Sequence, residues 1–425
     1  MSQLGKDWIE LLQVSSRFWL DLIELFRAVK TQLVSDLSNY LADANTRLRK
    51  GLTSLRQGFR KSASSLLANV TATFHQNWSE LPSRILSYLG AAEAHGDRAA
   101  LLRVARSRLG RDLTELPLPV KSFVATALLV VIGGIAAPST VSVAAILSTL
   151  PYFAILAVAS IGQHLVIQQR GLDLSTAGIM SFVAVVVTKL PDSSTNLGVV
   201  LFYIAAGLLV GAAIGAITGL VVTLLRVPPL VTTIGINAIL FGLTYFVSTG
   251  ASVQSPAMMV SFFVGEFLFV PATIWVLLMV AAATVFVLTF TTVGRRFIAV
   301  SVNPPAAHAV GVPLNIYSIL TYTIAGLIYA IAAIMLSGYL VSPTVLCGLP
   351  YLLGTIAAVV VGGNQLGGLT KGSVVATVVG AFFLTYLAQL VTALGFGGSA
   401  EDLADAIIVL SGVALPEITR RLRYA

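Results

Sequence analysis

Few side chains in this sequence are typed and spaced for covalent chemistry. The single cysteine, Cys347, has no intrachain disulfide partner, and four histidines without an H-E-x-x-H or C-x-x-C spacing give no metal centre. The nearest approach to a phosphate loop is Gly367-Gly-Leu-Thr-Lys371-Gly-Ser. It lacks the Gly-Lys-[Ser/Thr] ending whose amides and lysine cradle phosphates, so no nucleotide site, cofactor or metal is expected on this chain. What remains is a small set of polar groups inside apolar runs: Gln163 and His164, Thr233 (beside Thr232) one turn before Asn237, and Gln389. Uncompensated polar groups are costly in lipid, so these are expected to face a bundle interior or an aqueous path and are the candidates for lining a solute path. The alternative is interhelical hydrogen bonding that only holds helices together, worth about 0.6–2 kcal/mol each. Asp173 and Ser175 read instead as the cap of a following helix.

A second group is arranged for contact rather than catalysis. The longest polar connection of the apolar region runs from Gly294 to Pro313, with Arg295 and Arg296 placed to anchor it at a membrane face. Asn303 can cap a short helix whose first turn tolerates Pro304 and Pro305. Ala306, Ala307 and Ala309 keep that helix slim around His308, and Gly311 is placed to end it. A short, smooth helix of this kind suits a groove on another protein; an ordinary loop is the other reading of the same residues.

The elements that must position these groups follow from composition. The chain has 425 residues, 56% hydrophobic and 10% charged, with a mean hydropathy of +0.90. Soluble domains carry roughly 25% charged residues. Residues 1–121 hold 17 of the 26 Lys/Arg and 11 of the 18 Asp/Glu, leaving 9 and 7 for the rest of the chain. The fold class is therefore an all-α polytopic membrane protein, and the net charge of +8 does not point to nucleic acid. At ~20 residues per crossing, spans are expected at 121–138, 143–168, 175–190, 198–224, 230–248, 271–291, 314–338, 350–363, 373–394 and 403–417, the eighth and tenth being short. With about ten spans both termini share a side. If that side is the cytoplasm, Arg170, Arg226, Arg295, Arg296, Lys371, Arg420, Arg421 and Arg423 lie inside and only Lys189 outside, as the positive-inside rule requires. Gly207, Gly211, Gly215 and Gly219 form a four-step ladder expected to let helix backbones approach closely.

Residues 1–120 read as a separate amphipathic helical extension. Trp8, Leu12, Trp19, Leu22, Phe26, Val29, Leu33, Leu37 and Tyr40 recur at helical spacing, a second stretch covers 52–78, and a basic one covers 101–111. Asp7, Glu10, Arg17, Asp21 and Glu24 interrupt the first apolar stretch, so no secretory signal is expected. The extension suits an interfacial or partner-binding role, or a helical hairpin packed on itself.

Four stretches resemble the permease subunits of ribose/xylose-type bacterial ABC importers, in the family shared with branched-chain amino-acid permeases. They are Leu165-Val-Ile-Gln-Gln-Arg-Gly171-Leu-Asp-Leu-Ser175, Gly211 to Gly219 with Arg226-Val-Pro-Pro-Leu-Val-Thr-Thr233, Gly294 to Val312, and Ile356 to Gly363 with the glycine-rich stretch to Gly372. Order and spacing match over roughly 120–420. The resemblance implies an inner-membrane permease with both termini cytoplasmic, a second permease copy (homo- or heterodimer), a separate ATP-binding subunit, a periplasmic solute-binding protein and a small polar solute such as a sugar or polyol. It also implies that 295–312 holds the helix that docks into the ATP-binding subunit. Two departures bear on solute and partner rather than on fold: Pro304-Pro305 follow Asn303 where an acidic residue is usual, and Leu352 and Gly354 stand at two usually acidic positions. Two other classes stay open on the residues alone. An ion-coupled secondary transporter usually needs an intramembrane charge, for which only Asp405 is available; a membrane-anchored scaffold would act through the N-terminal helices.

Overall fold

The computed structural model describes residues 118–189, 196–364 apart from Val253 and Phe269, 372–397, Leu403 and 405–407. The N-terminal extension up to residue 117 and nearly all of the expected tenth span lie outside the described residues. All described residues belong to one compact unit, Arg111–Ala425.

Nine expected spans coincide with helices. These are α1 (Leu118–Ala136), α2 (Val143–Gln168), α3 (Thr176–Lys189), α4 (Leu197–Leu224), α5 (Pro229–Ser248), α7 (Ala272–Phe290), α10 (Leu314–Leu340), α11 (Tyr351–Val361) and α12 (Val374–Ala393). Seven are long and apolar enough to cross a membrane; α3 and α11 are shorter. Local chemistry sets where they begin. Ser142, Asn196 and Ser373 accept from the Ala145, Gly198 and Ala376 amides, capping α2, α4 and α12. Prolines open α5, α7 and α10, where a missing N–H costs nothing.

The stretch between α5 and α7, to which the sequence assigned no element, folds into α6 (Ala257–Val264) and a two-residue hairpin, β1 (Glu266–Phe267) on β2 (Val270–Pro271). The Trp275 indole donates to the Phe267 carbonyl at 3.1 Å and ties the hairpin to α7. The 294–313 connection holds two helices separated by one residue: α8 (Thr292–Val302) and α9 (Pro304–Ala309).

α2 and α10 form the centre. α10 packs on α4, α2, α3 and α6, while α2 packs on α12, α11 and α7. Lipid gives no hydrophobic reward for helix association, so close packing has to supply it. The four ladder glycines are buried. A Cβ on Gly211 or Gly215 would overlap the carbonyls of Gly326 or Tyr322, and one on Gly219 would lie 2.8 Å from Ile319 Cα. Gly326 answers from α10 against the Gly211 carbonyl, so α4 and α10 meet backbone to backbone. Gly207, one step further, abuts Val187 and Val183 of α3 instead.

Candidate functional site: the α8–α9 element and the polar interior

The end of α2 is built to hold α8. The Gly171 amide returns to the Val166 carbonyl at 3.0 Å and the Arg170 amide to Ile167 at 2.9 Å, closing the helix with Arg170 in the left-handed region at φ 65°. Glycine is the usual residue there; arginine is strained. Its guanidinium crosses to α8 and donates to the Ser301 carbonyl at 3.2 and 3.3 Å and to the Val302 carbonyl at 3.2 Å. Those are last-turn carbonyls, so a cation caps the C-terminus of α8. Beside it, Gln169 Nε2 donates to the Phe297 carbonyl at 2.8 Å, and Gln168 Nε2 to Ser301 Oγ at 2.8 Å. Three consecutive side chains at the C-terminal end of α2, its last residue and the two that follow, therefore grip one helix.

α9 follows with its own cap. Asn303 Oδ1 accepts from the Ala306 amide at 3.1 Å, Pro304 and Pro305 fill the first turn, and Gly311 ends the helix at φ 81° with the Val312 amide returning to Ala307 at 3.0 Å. Ala307 is only 3% exposed and packs into the chain's own core. The outward surface is Pro305, Ala306, His308, Ala309 and Gly311, with Val310 at its tip 79% exposed. Arg295 and Arg296 are exposed on α8.

The five polar candidates do not form one cluster. Gln163 is buried between Asp173 and Tyr329. With its nitrogen toward the Asp173 carbonyl, its amide donates there at 3.0 Å and to Tyr329 Oη at 2.9 Å, and accepts from the Asp173 amide at 3.3 Å. His164, next in sequence, faces elsewhere: its Nδ1 lies 3.0 Å from Thr377 Oγ1. Thr377 also takes Asn364 Nδ2 at 3.0 Å, and Asn364 Oδ1 accepts from the Ser373 amide at 2.7 Å. Gln168 Oε1 joins this knot by accepting from the Gly372 amide at 2.8 Å. A Cβ on Gly372 would overlap Gln168 Oε1 and lie 2.7 Å from His164 Cε1. An unbroken polar chain thus leads from Ser301 of α8 through Gln168 to the start of α12.

Asn237 and Thr233 lie on α5 against the start of α3. Asn237 Oδ1 accepts from the Gly178 amide at 2.7 Å, capping α3 from a neighbouring helix, and Thr233 Oγ1 donates to Leu230 at 3.3 Å. Gln389 is at the other end, about twelve residues or roughly 18 Å along α12 from Thr377. Its Nε2 donates to the Ala145 carbonyl at 3.1 Å, while its buried Oε1 has no partner among the described residues. Asp173, in the connection between α2 and α3, accepts from the Ser175 amide at 2.8 Å and Ser175 Oγ at 2.5 Å. Burial raises its carboxyl to about 6 against the pull of those two hydrogen bonds.

Sequence reasoning passed over Gln168, Gln169, Arg170, Asn364, Thr377 and Val310. The signal available for the first three was a Gln-Gln-Arg run ending an apolar helix just before Gly171. Nothing in spacing distinguishes that from an ordinary polar helix end.

A profile of the family described as "Branched-chain amino acid transport system / permease component" matches residues 145–414. The ribose import permease protein of Escherichia coli (strain K12) is 30% identical over 298 residues, 69% of this chain and 92% of that protein. Its counterpart in Haemophilus influenzae is 27% identical over 311 residues, 72% and 94% of the two chains. The galactose/methyl galactoside import permease protein of Escherichia coli (strain K12) is 30% identical over 276 residues, 60% and 80%. No solved structure matches significantly. With seven membrane-length helices and a profile match over more than half its length, the chain belongs to the branched-chain amino acid transport system permease family.

Proposed function

We propose that this protein is the membrane-spanning subunit of an ATP-driven importer for a small polar solute, with a sugar or polyol favoured by its ribose and galactoside relatives. It works as a pair of permease copies in a bacterial inner membrane, both termini cytoplasmic. A periplasmic protein delivers solute and a separate subunit hydrolyses ATP. The carrying observation is the α8–α9 element: a capped helix with a small-residue surface and an exposed Val310, held rigidly to the central helix α2 by Gln168, Gln169 and Arg170. Such an element can take a push from a docked protein and pass it to the bundle. The polar chain through Gln168 to Gly372 and Thr377 offers a route inward. Among the described residues, no acidic side chain lies within a membrane-length helix, which favours ATP over ion coupling as the energy source.

Reconstitution tests this. The permease, a co-encoded ATP-binding subunit and a co-encoded solute-binding protein are placed in proteoliposomes, and uptake of labelled ribose, galactose and xylitol is followed. Uptake requiring ATP and both partners is expected. Uptake by the permease alone, driven by an ion gradient, would refute the reading.

A further inference from the structure

Of the three side chains that hold α8 to the end of α2, Gln169 and Arg170 stop at α8 carbonyls. Gln168 reaches further. Its amide nitrogen donates to Ser301 Oγ and its amide oxygen accepts from the Gly372 amide, each at 2.8 Å. One planar group is thus fastened to α8 on one side and to the residue before the Ser373 cap of α12 on the other. Ser301 and Gln168 are both buried, so water does not stand in for the bond between them. Gly372 has no slack either, since a Cβ there would lie 2.9 Å from Asn364 Oδ1 and 2.7 Å from His164 Cε1.

What Gly372 leads into is a pair of helices, not one. Asn364, just past α11, donates through Nδ2 to the Val359 carbonyl at 3.2 Å and to Thr377 Oγ1 at 3.0 Å, while its Oδ1 accepts from the Ser373 amide at 2.7 Å. The two helices also meet along their backbones. A Cβ on Gly380 would overlap the Ala358 carbonyl, and one on Gly362 would lie 2.6 Å from the Ala376 carbonyl oxygen. α11 and α12 therefore form one stiff hairpin, and packed units of this kind shift as bodies rather than deform.

We propose that Gln168 is the positioning residue that carries a displacement of the α8–α9 element into the α11–α12 hairpin. The inference rests on α8–α9 being the docking element and adds the joint through which docking acts. Gln169 and Arg170 keep α8 seated on α2. Gln168 sets where α12 begins for a given position of α8, because one amide must satisfy both partners at once. Both the length of the side chain and its two hydrogen-bonding ends are therefore required.

The test uses the full-length permease with its co-encoded ATP-binding subunit and solute-binding protein in proteoliposomes. A nitroxide is placed on Ala299→Cys of α8 or Val375→Cys of α12, both exposed. In an otherwise wild-type chain, a non-hydrolysable ATP analogue should change the mobility of both labels. Gln168→Met keeps the length and removes both hydrogen bonds. It should preserve the response at Ala299 and abolish that at Val375. Solute carried per ATP hydrolysed should fall with it by about 5-fold or more, the smaller end of typical coupling free energies. Gln168→Glu keeps an acceptor for the Gly372 amide and for the Ser301 hydroxyl, and should restore both readouts in part. Gln168→Asn, too short to reach both partners, should not. A loss of stability alone would not separate the two labels. In Gln168→Met, a wild-type response at Val375 or an unchanged ratio of solute to ATP overturns the proposal. So does a silent Val375 label in an otherwise wild-type chain whose Ala299 label responds, and each of these outcomes leaves the docking reading standing. A silent Ala299 label in the otherwise wild-type chain overturns the docking reading and this proposal with it.

Discussion

Arg170 permits a test in which fold and coupling pull apart. Its left-handed backbone costs a non-glycine residue about 1–2 kcal/mol, and its guanidinium makes three contacts to two carbonyls at the end of α8. Hydrogen bonds to charged groups contribute about 1.5–3 kcal/mol; at 3.2–3.3 Å and partly exposed, these belong at the low end, about 2–3 kcal/mol for the set. Arg170→Gly removes the contacts and relieves the strain, so the whole protein should lose about 1 kcal/mol. Arg170→Ala removes the contacts and keeps the strain, so it should fall about 1–2 kcal/mol below the glycine variant. Both should free α8 to the same degree. A nitroxide on Ala299→Cys, exposed on α8, reads that motion directly. Cys347 does not interfere, because it is buried and burial pushes its thiol up to about 12, leaving almost no reactive thiolate. Increased label mobility in both variants, with the glycine variant the more stable, is the expected pattern. Wild-type label mobility in Arg170→Gly would show that the guanidinium does not hold α8, and an alanine variant as stable as the glycine variant would show that the backbone is not strained.

Other outcomes follow from the same geometry. Val310→Glu should weaken capture of the ATP-binding subunit by about 10–100-fold in a pull-down, the effect of losing ~1.5–3 kcal/mol of apolar burial, while membrane insertion stays unchanged; unaltered capture would place docking elsewhere. Gly215→Val should lower the thermal midpoint in detergent by overpacking worth about 1–3 kcal/mol, whereas Gly242→Val, with open space around it, should not. Asn237→Ala should destabilise by about 1–3 kcal/mol by orphaning the Gly178 amide; lost solute uptake with an unchanged thermal midpoint would show a path role instead. Asp173 has a folded-state pKa raised to about 6 by burial, so the folded protein binds the extra proton and this group adds stability as pH falls from 7 towards 4. The stability of wild type should therefore gain on Asp173→Asn over that window by on the order of 2–3 kcal/mol, seen as a rise in thermal midpoint relative to the variant, and parallel midpoints would show that the carboxyl titrates normally.

Span positions were legible because each is an apolar run of crossing length; at Ser142, Asn196 and Pro313 a cap or a proline also fixes the start. The cap of α9 by Asn303 was legible for the same local reason. Partners across the bundle were not. Gln163 and His164 are adjacent in sequence, yet about 100° of helix rotation sends one to Tyr329 on α10 and the other to Thr377 on α12. Asn237 resembles a path residue mid-span, but its acceptor is spent on an amide of α3, a pairing that no periodicity within α5 encodes. Ala307 shows the same limit on a small scale. Three alanines look equivalent in sequence, and only the docking of α9 on the chain's own core separates the buried one from the exposed two.

The backbone contact of α4 with α10 has a mechanical consequence. Gly211, Gly215 and Gly219 engage the backbone of Gly326, Tyr322 and Ile319, with only the Ala330 methyl between the helices at Gly211, like teeth of two meshed racks. Axial sliding by less than a full helical turn would drive carbonyls into one another, so the pair is locked in register and rotates only as one piece. Alternating exposure of a path to the two sides of a membrane then requires other joints to open. α5 is strapped to both ends of α3, by Asn237 accepting from the Gly178 amide and by Lys189 Nζ donating to the Val247 carbonyl at 2.6 Å. These two helices travel together, and the opening falls to joints outside both pairs.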